Sequence, residues 1–231
     1  MASDDMTALK IEAARQALEN VRSGMILGLG TGSTAREFVR LLGEKIARGD
    51  LRDISAICTS VVTQTQAESL GIPILEPEAK PAIDLAVDGA DEIDPDLRLI
   101  KGLGGALLRE KIVEQASARF IVIADETKLV EKLGRGLLPV EVVRFAAAWI
   151  EERLEAAGLS PRLRAKDGST FLTDEGNWIL DIRIPADRDI ADVVTQVTSH
   201  AGVVDTGFFP REATEALVAT ADGVRHIVRP A

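Results

Sequence analysis

The chain has 231 residues, enough for one large domain or for a medium domain with a small companion. Its net charge of −10 disfavours nucleic acid and anionic membranes as partners, and confines any anion site to a local pocket of N–H groups and a few lysines. Hydrophobic residues at 46% can fill a core, and with 3% aromatics and no Tyr that core is aliphatic, as in parallel strands covered by helices on both faces.

In chain order, Asp4 or Asp5 can cap a helix running to about residue 20, which Gly24 ends. Residues 25–29 form a short apolar strand leading into Gly30-Thr31-Gly32-Ser33-Thr34. Phe38, Leu41, Leu42 and Ile46 then recur at helical spacing up to Gly49. A strand is expected over 54–59, a helix over 63–70 and strands over 72–75 and 84–87. The last runs into Asp88-Gly89-Ala90-Asp91-Glu92. An extended segment over 97–100 ends at Lys101, a helix covers 106–117, and a strand covers 120–124. This rhythm predicts an α/β fold with a doubly wound, mostly parallel (Rossmann-like) sheet, whose ligands sit beyond the carboxyl ends of the strands.

After Gly134 the order becomes β-α-β-β-α-β, with strands over 139–143, 162–165, 178–184 and 203–208 and helices over 145–157 and 189–199. That is the order of a smaller ferredoxin-like α+β domain. A terminal hairpin, 217–220 and 225–228 joined at Asp222-Gly223, can return to the large domain. The expected division is therefore 1–134 with 211–231 as the Rossmann-like catalytic domain and 135–210 as the small domain, a candidate oligomer interface.

Every polar cluster falls at a strand end. Gly28 to Thr34 lies between strand and helix, where glycines let N–H groups approach an anion and hydroxyls add donors. Ser33 replaces the third glycine of a dinucleotide fingerprint and no Lys precedes the Ser-Thr pair, so the segment is either a phosphate cradle or an ordinary capped turn. Asp88, Asp91, Glu92 and Asp94 place four carboxylates within seven residues, which can raise one another's pKa or form a solvated turn. Calcium-loop spacing is absent. Lys101 followed by glycines can offer a cation and backbone donors to an oxyanion. Arg109-Glu110-Lys111, taken alone, reads first as an exposed salt-bridged helix face. Asp125 to Lys128 can bring a second lysine to the same end.

Cys58, the single cysteine, reads as a small buried hydrophobe in a reducing compartment. His200 and His226 lie far apart with no Cys near either, so no zinc set is expected. No apolar run approaches a membrane span and the first residues lack a leader pattern. The expectation is a soluble, cytoplasmic protein.

The order and spacing of these segments resemble one family. Gly-Thr-Gly-Ser-Thr at 30–34, Val-Asp-Gly-Ala-Asp-Glu at 87–92, Ile-Lys-Gly at 100–102, Arg-Glu-Lys at 109–111 and Ala-Asp-Glu-Thr-Lys at 124–128 are similar to ribose-5-phosphate isomerase type A. Leu-Pro-Val-Glu-Val at 138–142 and Asp222-Gly223 fit it too. The resemblance implies interconversion of ribose 5-phosphate and ribulose 5-phosphate through an enediolate, in the non-oxidative pentose phosphate pathway, with no cofactor and no metal. It maps the catalytic base onto Glu110, the assisting carboxylates onto Asp88 and Asp91, and the active-site lysine onto Lys101. Substrate contacts map onto Lys10, Thr31, Gly32, Ser33, Thr34, Gly89, Ala90, Gly102, Leu103, Gly104 and Lys128. Leu103 stands where many members carry glycine, and Gly105 follows where they carry Ala, so the glycines of this loop are out of phase with the family. The implied partner is a small sugar phosphate, with no nucleic acid or membrane, and the implied assembly is a homodimer or homotetramer.

Overall fold

A computed structural model of the chain describes residues 3–229. Helix α1 (Ser3–Leu18) contains Asp4 and Asp5 within its first turn, so the helix begins earlier than the cap expected at either residue. Strand β1 (Ile26–Leu29) follows, then α2 (Ser33–Ala47). Ala35, Phe38, Val39, Leu42 and Gly43 form the buried stripe of α2, at the i, i+3, i+4, i+7 spacing that seats a helix on a sheet. Strand β2 (Ser55–Cys58) leads into α3 (Val61–Ser69), which Ser60 caps by accepting from the Thr63 N–H. The strand expected at 72–75 is reduced to a single bridge between Ile74 and Ala56. Strand β3 (Leu85–Asp88), fully buried, comes next.

A small hairpin of β4 (Glu92–Ile93) and β5 (Leu99–Ile100) precedes α4 (Leu107–Gln115) and β6 (Phe120–Asp125). The second half holds β7 (Leu137–Val142), α5 (Ala147–Ala156), β8 (Arg162–Leu163), β9 (Ala165–Lys166), β10 (Ser169–Thr170) and β11 (Trp178–Arg183). It continues with α6 (Ile190–Thr198), β12 (Val203–Thr206) and β13 (Phe208–Phe209). The chain closes on the hairpin β14 (Glu215–Thr220) and β15 (Gly223–Val228), whose turn is at Ala221 and Asp222, one residue before the expected position.

The central sheet has the order β15-β14-β6-β3-β1-β2, parallel throughout except for the β15 edge. The chain leaves β1 outward to β2 and returns to β3 on the other side. The loops after β1 and β3 therefore diverge and open a crevice at their carboxyl ends. A second, antiparallel sheet has the order β12-β7-β11-β8 and, with α5 and α6, buries its own aliphatic cluster around Leu138, Val140, Ile150, Leu180 and Val193. This is the β-α-β-β-α-β arrangement read from the sequence.

One strand expected over 203–208 is broken. The chain leaves the second sheet at Gly207, and Phe208 and Phe209 pair with Ile100 and Leu99 instead. Gly207 is required by close approach, since a Cβ there would fall 2.1 Å from the Lys101 carbonyl oxygen. Its own carbonyl accepts from the Lys101 N–H at 2.8 Å.

Candidate active site

Segments at the carboxyl ends of β1, β3 and β6 and the stretch from Lys101 into α4 line a cavity of about 170 Å³, together with Lys10 and Met6 from α1. Thr31, Gly32, Ser33 and Thr34 form one wall, and Gly89, Ala90 and Asp91 a second. Lys101, Gly102, Gly104 and Glu110 form the floor, with Asp125, Thr127 and Lys128 opposite. The first wall is rigid. Thr31 Oγ1 lies 2.7 Å from Thr59 Oγ1 and 2.8 Å from Ser60 Oγ, and Thr63 Oγ1 donates to the Gly30 carbonyl at 2.9 Å. Gly32, at φ +115°, caps α2 without a side chain, so the first N–H groups of that helix face the cavity wall uncapped.

Lys101 is the centre of the site. Its ammonium is 2% exposed, donates to the Gly89 carbonyl, and lies 3.0 Å from Asp88 Oδ2, 3.2 Å from Glu114 Oε1 and 3.6 Å from Glu110 Oε2. Phe120 and Phe209 flank it with ring centroids at 5.7 and 5.5 Å. Asp88 is fixed from its other oxygen, which accepts from the N–H groups of Thr31 at 2.9 Å and Gly89 at 2.6 Å. Gly30 makes that approach possible, because a Cβ at Gly30 would lie 2.1 Å from Asp88 Cγ.

One buried cation cannot balance three carboxylates. Burial raises the Glu110 pKa to about 8; Lys101 pulls it down, and Asp88 and Asp91 push it up. Burial also lifts Glu114 well above the carboxylate range, with Lys101 opposing and Asp88 and Glu110 adding to the rise. Burial disfavours the charged form of Lys101, but Asp88, Glu110 and Glu114 together hold its pKa well above the usual lysine value. Burial raises Asp91 as well, against a hydrogen bond from the Leu103 N–H at 3.0 Å and the nearby lysines.

A family profile described as ribose 5-phosphate isomerase A (phosphoriboisomerase A) matches residues 55–223. The chain belongs to that family. Ribose-5-phosphate isomerase A of Rhodopseudomonas palustris is 48% identical over 228 residues, covering 96% of this chain and 97% of that protein. The solved structure of a D-ribose-5-phosphate isomerase in complex with phospho-erythronic acid superposes with a TM-score of 0.91 at 40% identity, covering 99% of this chain and all (100%) of that one. The ribose 5-phosphate isomerase of Plasmodium falciparum gives 0.93 at 37% identity, covering 98% of this chain and 100% of its own. The resemblance carried by the five motifs is thus borne out over nearly the whole isomerase chain.

The structure gathers most of the residues expected at the site. Lys10, Thr31, Gly32, Ser33, Thr34, Gly89, Ala90, Asp91, Lys101, Gly102, Gly104, Glu110 and Lys128 all line the cavity. Asp88 lies behind it, against Lys101, and is not a lining residue. Leu103 is 48% exposed and does not line it either; its N–H is committed to Asp91. The four-carboxylate segment divides by function. Glu92 accepts from the N–H groups of Gly134 and Gly136, and Asp94 pairs with Arg98 at 2.7 Å, so these two brace loops elsewhere. The exposed face expected for Arg-Glu-Lys is not found. Glu110 and Lys111 are buried, Lys111 reaching Asp205 at 2.6 Å and the Thr206 carbonyl at 2.7 Å, while Arg109 pairs with Glu175.

Glu114 was not visible as a site residue from the sequence. Its signal is that it falls four residues after Glu110, one turn along the same helix face. His200 and His226 stand apart from the cavity, His226 facing Glu215 on the edge hairpin. Among the described residues no group of three or more His, Cys, Asp or Glu is placed to hold a metal ion, and no helix is long and apolar enough to cross a membrane.

Proposed function

We propose that the protein interconverts D-ribose 5-phosphate and D-ribulose 5-phosphate through an enediolate, in the non-oxidative pentose phosphate pathway. The observation that carries this is the buried Lys101 ammonium between Asp88 and Glu110 at the floor of a polar cavity, with Glu110 held 3.6 Å from it rather than in a closed pair. The cavity is below the ~300–1,000 Å³ of drug-sized sites, in keeping with a small polar metabolite. Phospho-erythronic acid, bound by the 40% identical relative, is a phosphorylated sugar acid whose planar carboxylate resembles an enediolate.

Glu110, ionised, removes the proton from C2 of the open-chain aldose. The C–H electron pair forms the C1–C2 double bond and the carbonyl pair moves onto O1. Lys101 and the loop N–H groups stabilise that oxyanion. Asp88, behind Lys101, moves the proton between the two oxygens through that ammonium and, with Asp91 at the cavity wall, assists ring opening. Asp91 holds the 102–104 loop against the substrate. Glu110 then returns its proton to C1, giving the ketose. Thr31, Gly32, Ser33 and Thr34, with Lys10 and Lys128, take the phosphate at the open end.

The reaction proceeds without a metal, because an ammonium occupies the place between the carboxylates where a cation would otherwise polarise the carbonyl. A sugar-phosphate deaminase or lactonase would want a histidine at this floor, and a sensing module has no use for a buried carboxyl of raised basicity. Residues 1–134 with 211–231 form the catalytic domain, and 135–210 the small domain. A homodimer or dimer of dimers through the small domain is supported by Phe145, 82% exposed and 5.4 Å from the ring of Trp149. The acidic surface and single half-buried thiol suit a cytoplasmic enzyme that meets neither nucleic acid nor membrane.

A coupled assay of ribulose 5-phosphate formation, run with and without EDTA, tests the proposal. Turnover unaffected by chelator supports it; no turnover of ribose 5-phosphate, or turnover lost with the chelator, counts against the reaction or its metal independence.

A further inference from the structure

Arg164, between β8 and β9 on the second sheet, does not line the cavity, yet its side chain reaches the loop that does. Its Nε donates to Asp181 Oδ2 at 2.8 Å and its Nη2 pairs with Asp181 Oδ1, a two-point grip on one face of the guanidinium. The remaining arm, Nη1, donates to the Gly102 carbonyl at 2.9 Å and the Leu103 carbonyl at 3.2 Å. The guanidinium also sits 5.9 Å from the centroid of the Phe171 ring. That ring packs on Gly105, where a Cβ would come within 2.3 Å of it. The residues following β8 and β10 thus hold the 102–105 loop by two carbonyls and one ring.

A peptide unit is planar and trans, so its C=O and the next N–H point in opposite directions. Drawing the Gly102 carbonyl toward Arg164 turns the Leu103 N–H the other way, and it does reach Asp91 Oδ2 at 3.0 Å. By the same geometry, drawing the Leu103 carbonyl toward Arg164 turns the Gly104 N–H away from the guanidinium. Gly104 lines the cavity, and its N–H has no acceptor among the described residues. We propose that Arg164, held by Asp181, is a positioning residue for the isomerisation: it fixes the two peptide planes that aim the Leu103 N–H at Asp91 and the Gly104 N–H at the developing oxyanion. Lysine cannot replace it, since a single ammonium cannot grip Asp181 at two points and reach both carbonyls. The inference rests on the isomerase reading above.

The test compares the full-length parent with Arg164→Lys, Arg164→Ala and Asp181→Asn. It measures kcat and KM for ribose 5-phosphate, and inhibition by phospho-erythronic acid and by inorganic phosphate. Misaimed donors lower kcat in Arg164→Lys on the order of 10²-fold, while KM moves little. Affinity for phospho-erythronic acid falls with kcat. Affinity for inorganic phosphate does not change, because its cradle lies on other segments. Asp181→Asn shows a smaller loss of the same kind, and guanidinium ion partly restores Arg164→Ala. A merely structural role would instead weaken both inhibitors together and lower the melting temperature. That pattern, or a kcat in Arg164→Lys within about twofold of an active parent, overturns the inference while leaving the isomerase reading intact. A parent with no turnover sinks the isomerase reading and this inference with it.

Discussion

Glu110 stands 3.6 Å from the Lys101 ammonium, while Asp88 stands 3.0 Å from it. The ammonium pairs with both, more closely with Asp88, and burial outweighs its pull on Glu110, leaving that carboxyl the basicity a proton-abstracting group needs. A closed pair at Glu110 would give it a pKa too low to accept a proton from carbon efficiently. With its pKa at about 8, the carboxylate is a minority species at neutrality but a stronger base when ionised.

The free enzyme is accordingly expected to gain kcat/KM as pH rises and to level off above about pH 8. Glu110→Gln removes that limb and lowers turnover by ~10²–10⁴-fold. A pH series of initial rates on both proteins checks this, and near-normal turnover in the variant would sink the assignment of the base.

The same carboxyl links stability to pH. Its folded pKa, about 8, lies above the ordinary value of 4.5, so between those values the folded state binds the proton more tightly than the unfolded chain does. The stability this contributes is fully present below pH 4.5 and is lost as pH rises through about 8. Glu110→Gln should therefore melt higher than the parent at pH 8.5 (about half a unit above that pKa), with a smaller gain or none at pH 5.

Lys101→Met takes the one cation from three buried carboxyl groups. Breaking such a buried set costs ~3–5 kcal/mol, and the cost grows with pH because Glu110 and Glu114, already raised by burial, lose the cation that favours their charged forms. The expected result is a variant without measurable isomerisation whose melting temperature falls further below the parent at pH 8 than at pH 5. Equal losses at both pH values would contradict the charge balance described for this site.

Gly30→Ala probes Asp88 without touching its chemistry. The added methyl meets Asp88 Cγ at 2.1 Å and forces the carboxylate off the Thr31 and Gly89 N–H groups. Overpacking of this kind costs ~1–3 kcal/mol, and the role proposed for Asp88 requires turnover to fall at least tenfold, on the order of a misplaced active-site group. A crystal structure showing Asp88 unmoved in an inactive variant would locate the defect elsewhere.

Lys128→Ala is expected to raise KM for ribose 5-phosphate with kcat little changed, because a phosphate grip acts on ground and transition states alike. Steady-state kinetics decides it: a large fall in kcat at unchanged KM would assign Lys128 to the chemistry instead.

Much of this was legible in the sequence where the pattern is local. The strand-loop-helix at 26–47 shows itself by an apolar run, a glycine-rich turn and a helical stripe, and the structure keeps all three. The second sheet was legible in element order alone. Burial was not legible: Glu110 and Lys111 look like a solvated face because charge predicts exposure until a tertiary partner intervenes, here Lys101 for one and Asp205 for the other. Glu114 escaped notice for the same reason. The break at Gly207 was hidden because Val203, Val204, Phe208 and Phe209 on either side of it read as one strand, and the competing partner β5 divides it. Arg164 gives no local signal, since its partners are 17 and 62 residues away.

That break at Gly207 has a mechanical consequence. The amide of Lys101 hangs on a strand that has just left the other sheet, and Lys111 is tied to the two residues before the crossing. The two sheets are therefore stitched together beneath the reacting groups rather than hinged beside them. Amide exchange at Lys101 and in β7 should open with one common free energy, and the enzyme should unfold in a single transition, with no intermediate in which one sheet survives the other.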